Sequence, residues 1–226
     1  MNLTAINIMS ERPVHVQITE LSEVLVQLSN RVLENFLISL HAAVQHDEPG
    51  TKQRMLADYE IDMAEIDLEE RCLSFLALQH PVASDLRTIM TIIMINDELE
   101  RIADLSFHSL DLMLEITPEI IESFEFEDMG ELAAEMVKKS ITSFALKEQA
   151  LADEVGVLDK EIEVMHRAVV NKATALIKIP DADVSQLMAV MSISRYIEHI
   201  ADHAVKIAQE VGYLVTGEII HKDASH

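Results

Sequence analysis

The chain is poor in the residues that most reaction-specific folds rely on. One cysteine, Cys72, serves 226 residues, which rules out an internal disulfide framework and fits a reducing cytosol. Tryptophan is absent and aromatic residues make up 4%, so the core must be aliphatic. Five glycines and five prolines are too few for a turn-rich β architecture. They also leave no Gly-rich phosphate loop, and no Ser or Cys nucleophile motif occurs, so catalysis is not indicated. Basic residues number 17 against 40 acidic ones, a formal charge of −23 spread along the chain. That balance argues against nucleic acid and anionic lipid as direct partners. No run of eighteen uncharged apolar residues is found, and residues 1–10 lack the basic start and long apolar stretch of a signal peptide. A soluble, unsecreted protein without membrane insertion is expected.

What is abundant is Leu, Ile, Ala, Met and Glu, the residues that lose least on entering a helix. Val14, Ile18, Leu21, Leu25, Leu28, Val32, Phe36, Leu40 and Val44 recur in steps of three and four, the buried stripe of a long helix that stops near Pro49 and Gly50. A second helix is expected over about 51–78, with Met55, Tyr59, Ile66, Leu73 and Leu76 on one line, and a third from Pro81 to about Ile116. Asp128 and Glu131 have the spacing of a capping box and open a fourth, with Leu132, Met136, Phe144 and Leu151 inward and Gly156 as its break. A fifth carries Leu158, Ile162, Met165, Val169, Ala173 and Leu176 to Pro180. A sixth carries Leu187, Met191, Ser194, Ala201, Val205 and Ala208 to Gly212. The expected fold is all-α: two tandem three-helix bundles of six long helices, over 12–117 and 128–214. Glu100-Arg-Ile-Ala-Asp104 returns as Glu198-His-Ile-Ala-Asp202 at an offset of 98, which points to an internal duplication.

The chemistry is expected where acids fall on apolar stripes. On the third helix the line Leu86, Met90, Ile93 continues onto Asp97, Glu100 and Asp104, positions directed toward neighbouring helices. Desolvated carboxylates must be paired, protonated or metal-bound, and only Arg87 and Arg101 stand near in sequence, with Arg195 and His199 in the second half. The second helix supplies Asp58 and Asp62 one turn apart, and the fifth repeats this with Asp159 and Glu163. Opposed i,i+4 pairs on antiparallel helices offer four or more oxygen ligands to one volume, suited to Mg, Ca, Mn or Fe. A single such pair is usually an exposed salt-bridge row, whereas four placed symmetrically favour metal. Glu163 and His166 have the Glu-x-x-His spacing of di-iron bundles, so a ferritin-like di-metal oxidoreductase is an alternative, although one motif of the required two is present. A purely structural scaffold is another. His199 and His203 are each either an extra ligand or a surface imidazole.

Leu78-Gln-His-Pro-Val-Ala-Ser-Asp-Leu-Arg87, Glu100-Arg-Ile-Ala-Asp104 and Ser194-Arg-Tyr-Ile-Glu-His-Ile-Ala-Asp-His203 together resemble the PhoU family of phosphate-uptake regulators, over nearly the whole chain. The resemblance implies a non-enzymatic cytoplasmic adaptor, often a homodimer, that holds metal clusters and restrains phosphate import and phosphate-starvation signalling. It implies contact with the phosphate ABC transporter ATPase and a sensor histidine kinase, hence peripheral membrane association through proteins. The metal ions so implied are Fe, Mn, Mg or Zn. The family's ligand pattern carries onto Asp58, Asp62, Glu100 and Asp104, and onto Asp159, Glu198 and Asp202, with Glu163 standing where Asp is usual. Ala103 and Ala201 replace the usual Gly before the final Asp, and His199 replaces an Arg.

Overall fold

The computed structural model describes residues 13–45 and 50–218, with side chains described over 14–45 and 59–218. Among the described residues there are seven helices and no strand: α1 (Pro13–Val44), α2 (Gly50–Gln79), α3 (Ala83–Glu115), α4 (Pro118–Ile121), α5 (Phe126–Leu146), α6 (Gln149–Ile177) and α7 (Val184–Thr216). Six are long, as the apolar spacing requires. The extra one, α4, is a single turn started by Pro118 at its first position, where the fixed φ of proline suits a helix and its missing N–H is not needed.

Several boundaries differ from expectation, among them the end of α7, which runs through Gly212 to Thr216. Gly156 does not end the helix before it but lies inside α6, with open space around its Cα. The break falls at Lys147, which adopts φ 54° and lets its N–H and that of Glu148 bond back to Phe144 and Ser143. A left-handed C-cap of this kind usually carries Gly, so a lysine there gave no signal. Leu151 consequently belongs to α6. The anticipated capping box at Asp128 is absent too, because α5 begins earlier, with Glu125 as N-cap and no side-chain capping bond.

Helix α1 packs on α2, α3 and α5, while α7 packs on α3, α5 and α6. The two three-helix units, α1–α3 and α5–α7, are therefore joined along the α3–α7 seam and again between α1 and α5. Their buried residues form one continuous aliphatic core. On α1 the anticipated stripe from Leu21 to Leu40 is buried, and α6 and α7 likewise turn Ile162, Val169, Ala173, Leu187, Ala201 and Val205 inward. Gly130 on α5 permits the α1–α5 approach, since a Cβ there would meet Leu40 Cδ2 at 2.3 Å. At the far end of α7, Gly217 adopts φ +75° and lies against the Arg87 guanidinium, which stacks 5.4 Å over the Tyr213 ring.

The start of α7 depends on a conventional cap. Asp183 accepts hydrogen bonds from the Gln186 backbone N–H at 3.2 Å and from Gln186 Nε2 at 2.9 Å. Those bonds, the side-chain one foremost, hold the Asp183 carboxyl below its ordinary range. Because the folded pKa is depressed, the stabilisation is complete above the ordinary aspartate range and disappears as pH falls through the folded value. Asp183→Ala is expected to lower the melting temperature at neutral pH, and the gap to the parent should close in acid. Paired thermal melts at neutral and strongly acidic pH measure this.

Candidate metal centre

Helices α2 and α3 present a different face to the core from the one anticipated. In α2 the buried line is Ile61, Glu65, Leu68, Cys72 and Phe75, whereas Tyr59, Ile66 and Leu73 are 63%, 50% and 52% exposed. In α3 the core receives Ile89, Ile92, Ile95, Asn96, Leu99, Ile102 and Ala103. Leu86, Met90, Asp97, Glu100 and Asp104 face solvent, so the reading of these carboxylates as inward-facing is corrected. Each helix carries two apolar lines with valid three-four spacing. On α3, desolvating three carboxylates costs far more than exposing a few Met and Leu side chains, so the line free of acids is the one buried, whereas the buried line of α2 includes Glu65. Cys72 on that line is fully enclosed, and burial pushes its thiol up to about 11.

The other candidate ligands divide the same way. Asp62, Glu163 and Asp202 are exposed, while Asp159 and Glu198 are half-buried. The side chain of Asp58 lies outside the described residues.

The acids nonetheless stand in matched rows. Asn96 Nδ2 donates to the Glu65 carbonyl at 3.1 Å, which sets the register of the antiparallel α2–α3 pair. Three residues back from Glu65 and four on from Asn96, that register puts Asp62 near the height of Glu100 and, one turn further, position 58 near that of Asp104. In the second unit His166 Nδ1 meets Ser194 Oγ at 3.0 Å, and its Nε2 lies 3.6 Å from Glu198. That register puts Glu163 near the height of Glu198 and Asp159 near that of Asp202. Glu65 to His166 spans the same offset as Asp58 to Asp159, 101, and Asn96 to Ser194 the same as Glu100 to Glu198, 98. The cross-helix bonds thus occupy equivalent places in the two units.

Among the described residues, no three ligand atoms of either row lie within 4.8 Å of one another. Arg101 pairs with Asp97 at 3.4 Å. Arg167 lies 3.6 Å from Glu163, while His166 faces α7. Among the described residues, the group of three carboxylate or imidazole ligands whose atoms converge within 4.8 Å is His41, Glu127 and Glu131.

The α3–α7 seam carries polar groups that sequence spacing did not reveal. Glu98, on α3, accepts a short hydrogen bond from His203 on α7 and lies 3.6 Å from Lys206. Burial alone would raise its carboxyl, but the His203 hydrogen bond and the charges of His203, Lys206 and Arg101 hold it below the ordinary range. Glu210 nearby is raised instead, by burial and by repulsion from Glu98. A cleft of about 430 Å³ opens beside this cluster, with Asp104 on one wall and His199 and His203 on the other. The two histidines weighed as ligands for the second unit thus face a carboxylate of the first. No pattern within either helix could signal this, because it depends on how the units dock.

The model of the PhoU domain matches the chain twice, over residues 25–112 and 126–211. The chain belongs to the PhoU family. Its similarity to curated members is broad: it is 27% identical over 162 residues to the "Phosphate-specific transport system accessory protein PhoU homolog" of Deinococcus radiodurans, covering 71% of this chain and 76% of that one. The Aquifex aeolicus protein of the same description is 27% identical over 206 residues, covering 90% and 93%. The crystal structure of the phosphate transport system regulatory protein PhoU from Streptococcus pneumoniae superposes with a TM-score of 0.84 at 23% identity, covering 92% of this chain and 100% of that one, and shows the fold to be shared. The family resemblance carried by the two repeated acid motifs is thereby confirmed.

Proposed function

We propose that this chain is an accessory protein of phosphate transport, a cytoplasmic and non-enzymatic negative regulator of phosphate uptake and phosphate-starvation signalling. The observation that carries the reading is the double PhoU-domain match, spanning both helical units, together with relatives described as accessory to phosphate-specific transport. In this reading it acts as a homodimeric adaptor between the transporter ATPase and a sensor histidine kinase. The exposed apolar residues of α2 and α3, Tyr59, Met63, Ile66, Met90 and Met94, support a protein-docking role, because monomers rarely leave such a line uncovered. No described helix is long and apolar enough to cross a membrane; in this reading membrane association is peripheral and runs through the protein partners.

The metal part of the proposal is that the level rows Asp58, Asp62, Glu100, Asp104 and Asp159, Glu163, Glu198, Asp202 hold divalent or trivalent ions such as Fe, Mn, Mg or Zn. All-oxygen donors suit hard or borderline ions, and solvent-facing carboxylates can turn to a cation without disturbing the core. A ferritin-like di-metal oxidoreductase needs two Glu-x-x-His motifs, and the chain carries one, at Glu163 and His166. Elemental analysis after reloading should find stoichiometric metal in the parent. Replacing Glu100, Asp104, Glu198 and Asp202 by Ala should remove the ions held by the two rows, lowering the metal content per chain with unchanged helicity. A parent free of metal sinks the sites. Capture from cells grown in low and high phosphate should recover the transporter ATPase or the kinase, and recovery of neither sinks the adaptor role.

A further inference from the structure

Where α1 ends and α5 begins, three ligand-bearing side chains meet away from both acid rows. His41, in the last turn of α1, points its Nε2 at Glu127 Oε1, 3.4 Å away, and at Glu131 Oε1, 3.5 Å away. Glu127 and Glu131 are one turn apart on α5, so both face the same way. Charge-assisted hydrogen bonds run about 2.7–2.9 Å, and these separations are longer. They match the edge of a tetrahedral metal site, since bonds of about 2.1 Å at the tetrahedral angle put neighbouring ligand atoms about 3.4 Å apart.

Two features of the fold create this convergence. Gly130 lets Leu40 lie against the α5 backbone, which brings the next residue on each helix, His41 and Glu131, face to face. Glu131 is also free of the capping duty its spacing suggested, because α5 starts at Phe126 with no side-chain cap bond. The helix ends assist as well: the negative end of α1 favours a cation, and the positive end of α5 favours the carboxylates beside it.

We propose that His41, Glu127 and Glu131 form a separate binding site for a divalent transition-metal ion, Zn(II) or Co(II) by its one-nitrogen, two-oxygen donor set, pinning α1 to α5 across the two helical units. The inference does not rest on the acid rows holding metal. All three side chains are 40% to 57% exposed, so replacing them leaves the core intact and the remaining coordination positions open to water.

The test is a Zn(II) titration of the full chain in which Glu100, Asp104, Glu198 and Asp202 are already Ala, with and without His41→Gln and, separately, Glu127→Gln. Each added substitution should remove one bound Zn(II) per chain or weaken it at least tenfold, with unchanged helical circular dichroism. Co(II) should paramagnetically shift the His41 ring protons, and the fourfold-Ala chain should gain thermal stability with Zn(II) that its His41→Gln derivative does not. Equal stoichiometry and affinity in all three chains, or His41 signals indifferent to Co(II), would show an ion triad only and overturn the site.

Discussion

Replacing Phe36 by Ala is expected to lower the free energy of unfolding by about 3–5 kcal/mol. Phe36 is 0% exposed and sits in the C-terminal half of α1, the helix that packs on α2 and α3 in its own unit and on α5 in the other. Truncation there loses the transfer energy of the ring and leaves a cavity between rigid helices that have little freedom to collapse into it. Domain stabilities run about 5–15 kcal/mol, so the variant should be near the limit of folding at elevated temperature. Guanidinium melts followed by helical circular dichroism measure the change, and an unaltered slope would confirm that the same surface still unfolds together. A loss under about 1 kcal/mol would mean that α1 is not the buried spine described here.

His203→Ala should cost about 1.5–3 kcal/mol, because it strips the hydrogen-bond donor from a carboxylate enclosed between α3 and α7. The Glu98 side chain is 17% exposed and that of His203 12%, so water replaces the imidazole only partly. Lys206, 3.6 Å away, remains as the residual partner and keeps the loss within this range. Replacing both partners, Glu98→Leu with His203→Leu, should restore much of the stability, since no buried charge is then left unmatched. If the double variant is less stable than the single one, the pair itself holds the seam together.

The same cluster sets a pH dependence. Glu98 is held below the ordinary range in the folded state, so its contribution is present above the unfolded pKa and is lost as pH falls through the folded one. Glu210 is raised, so its contribution is present at low pH and lost as pH rises through its folded value. The two oppose each other, and in Glu210→Gln the loss of stability on acidification should be steeper than in the parent.

Helix content, the α1, α6 and α7 stripes and the repeat of the acid motifs were legible in the sequence because each is a matter of short spacing on one helix. The α1 stripe reads correctly since no acid falls on it, although Val16 and Ile38 remain exposed on the other side. On α2 and α3 the same rule pointed to the wrong line, because both helices are apolar on two sides and spacing is equally satisfied by either. On α3 the cost of burying Asp97, Glu100 and Asp104 decided the phase. The break at Lys147 was invisible because a lysine occupied a left-handed position that usually takes glycine.

An all-helical chain with two matched acid-bearing units is dictated by residue composition and by three-four spacing, which act within single helices and need no partner. Which acids face water, the His203–Glu98 contact across the α3–α7 seam, and the meeting of His41 with Glu127 and Glu131 are settled only by tertiary structure. They join residues 86 to 105 positions apart, and such pairs are set by how whole helix faces dock rather than by any local pattern.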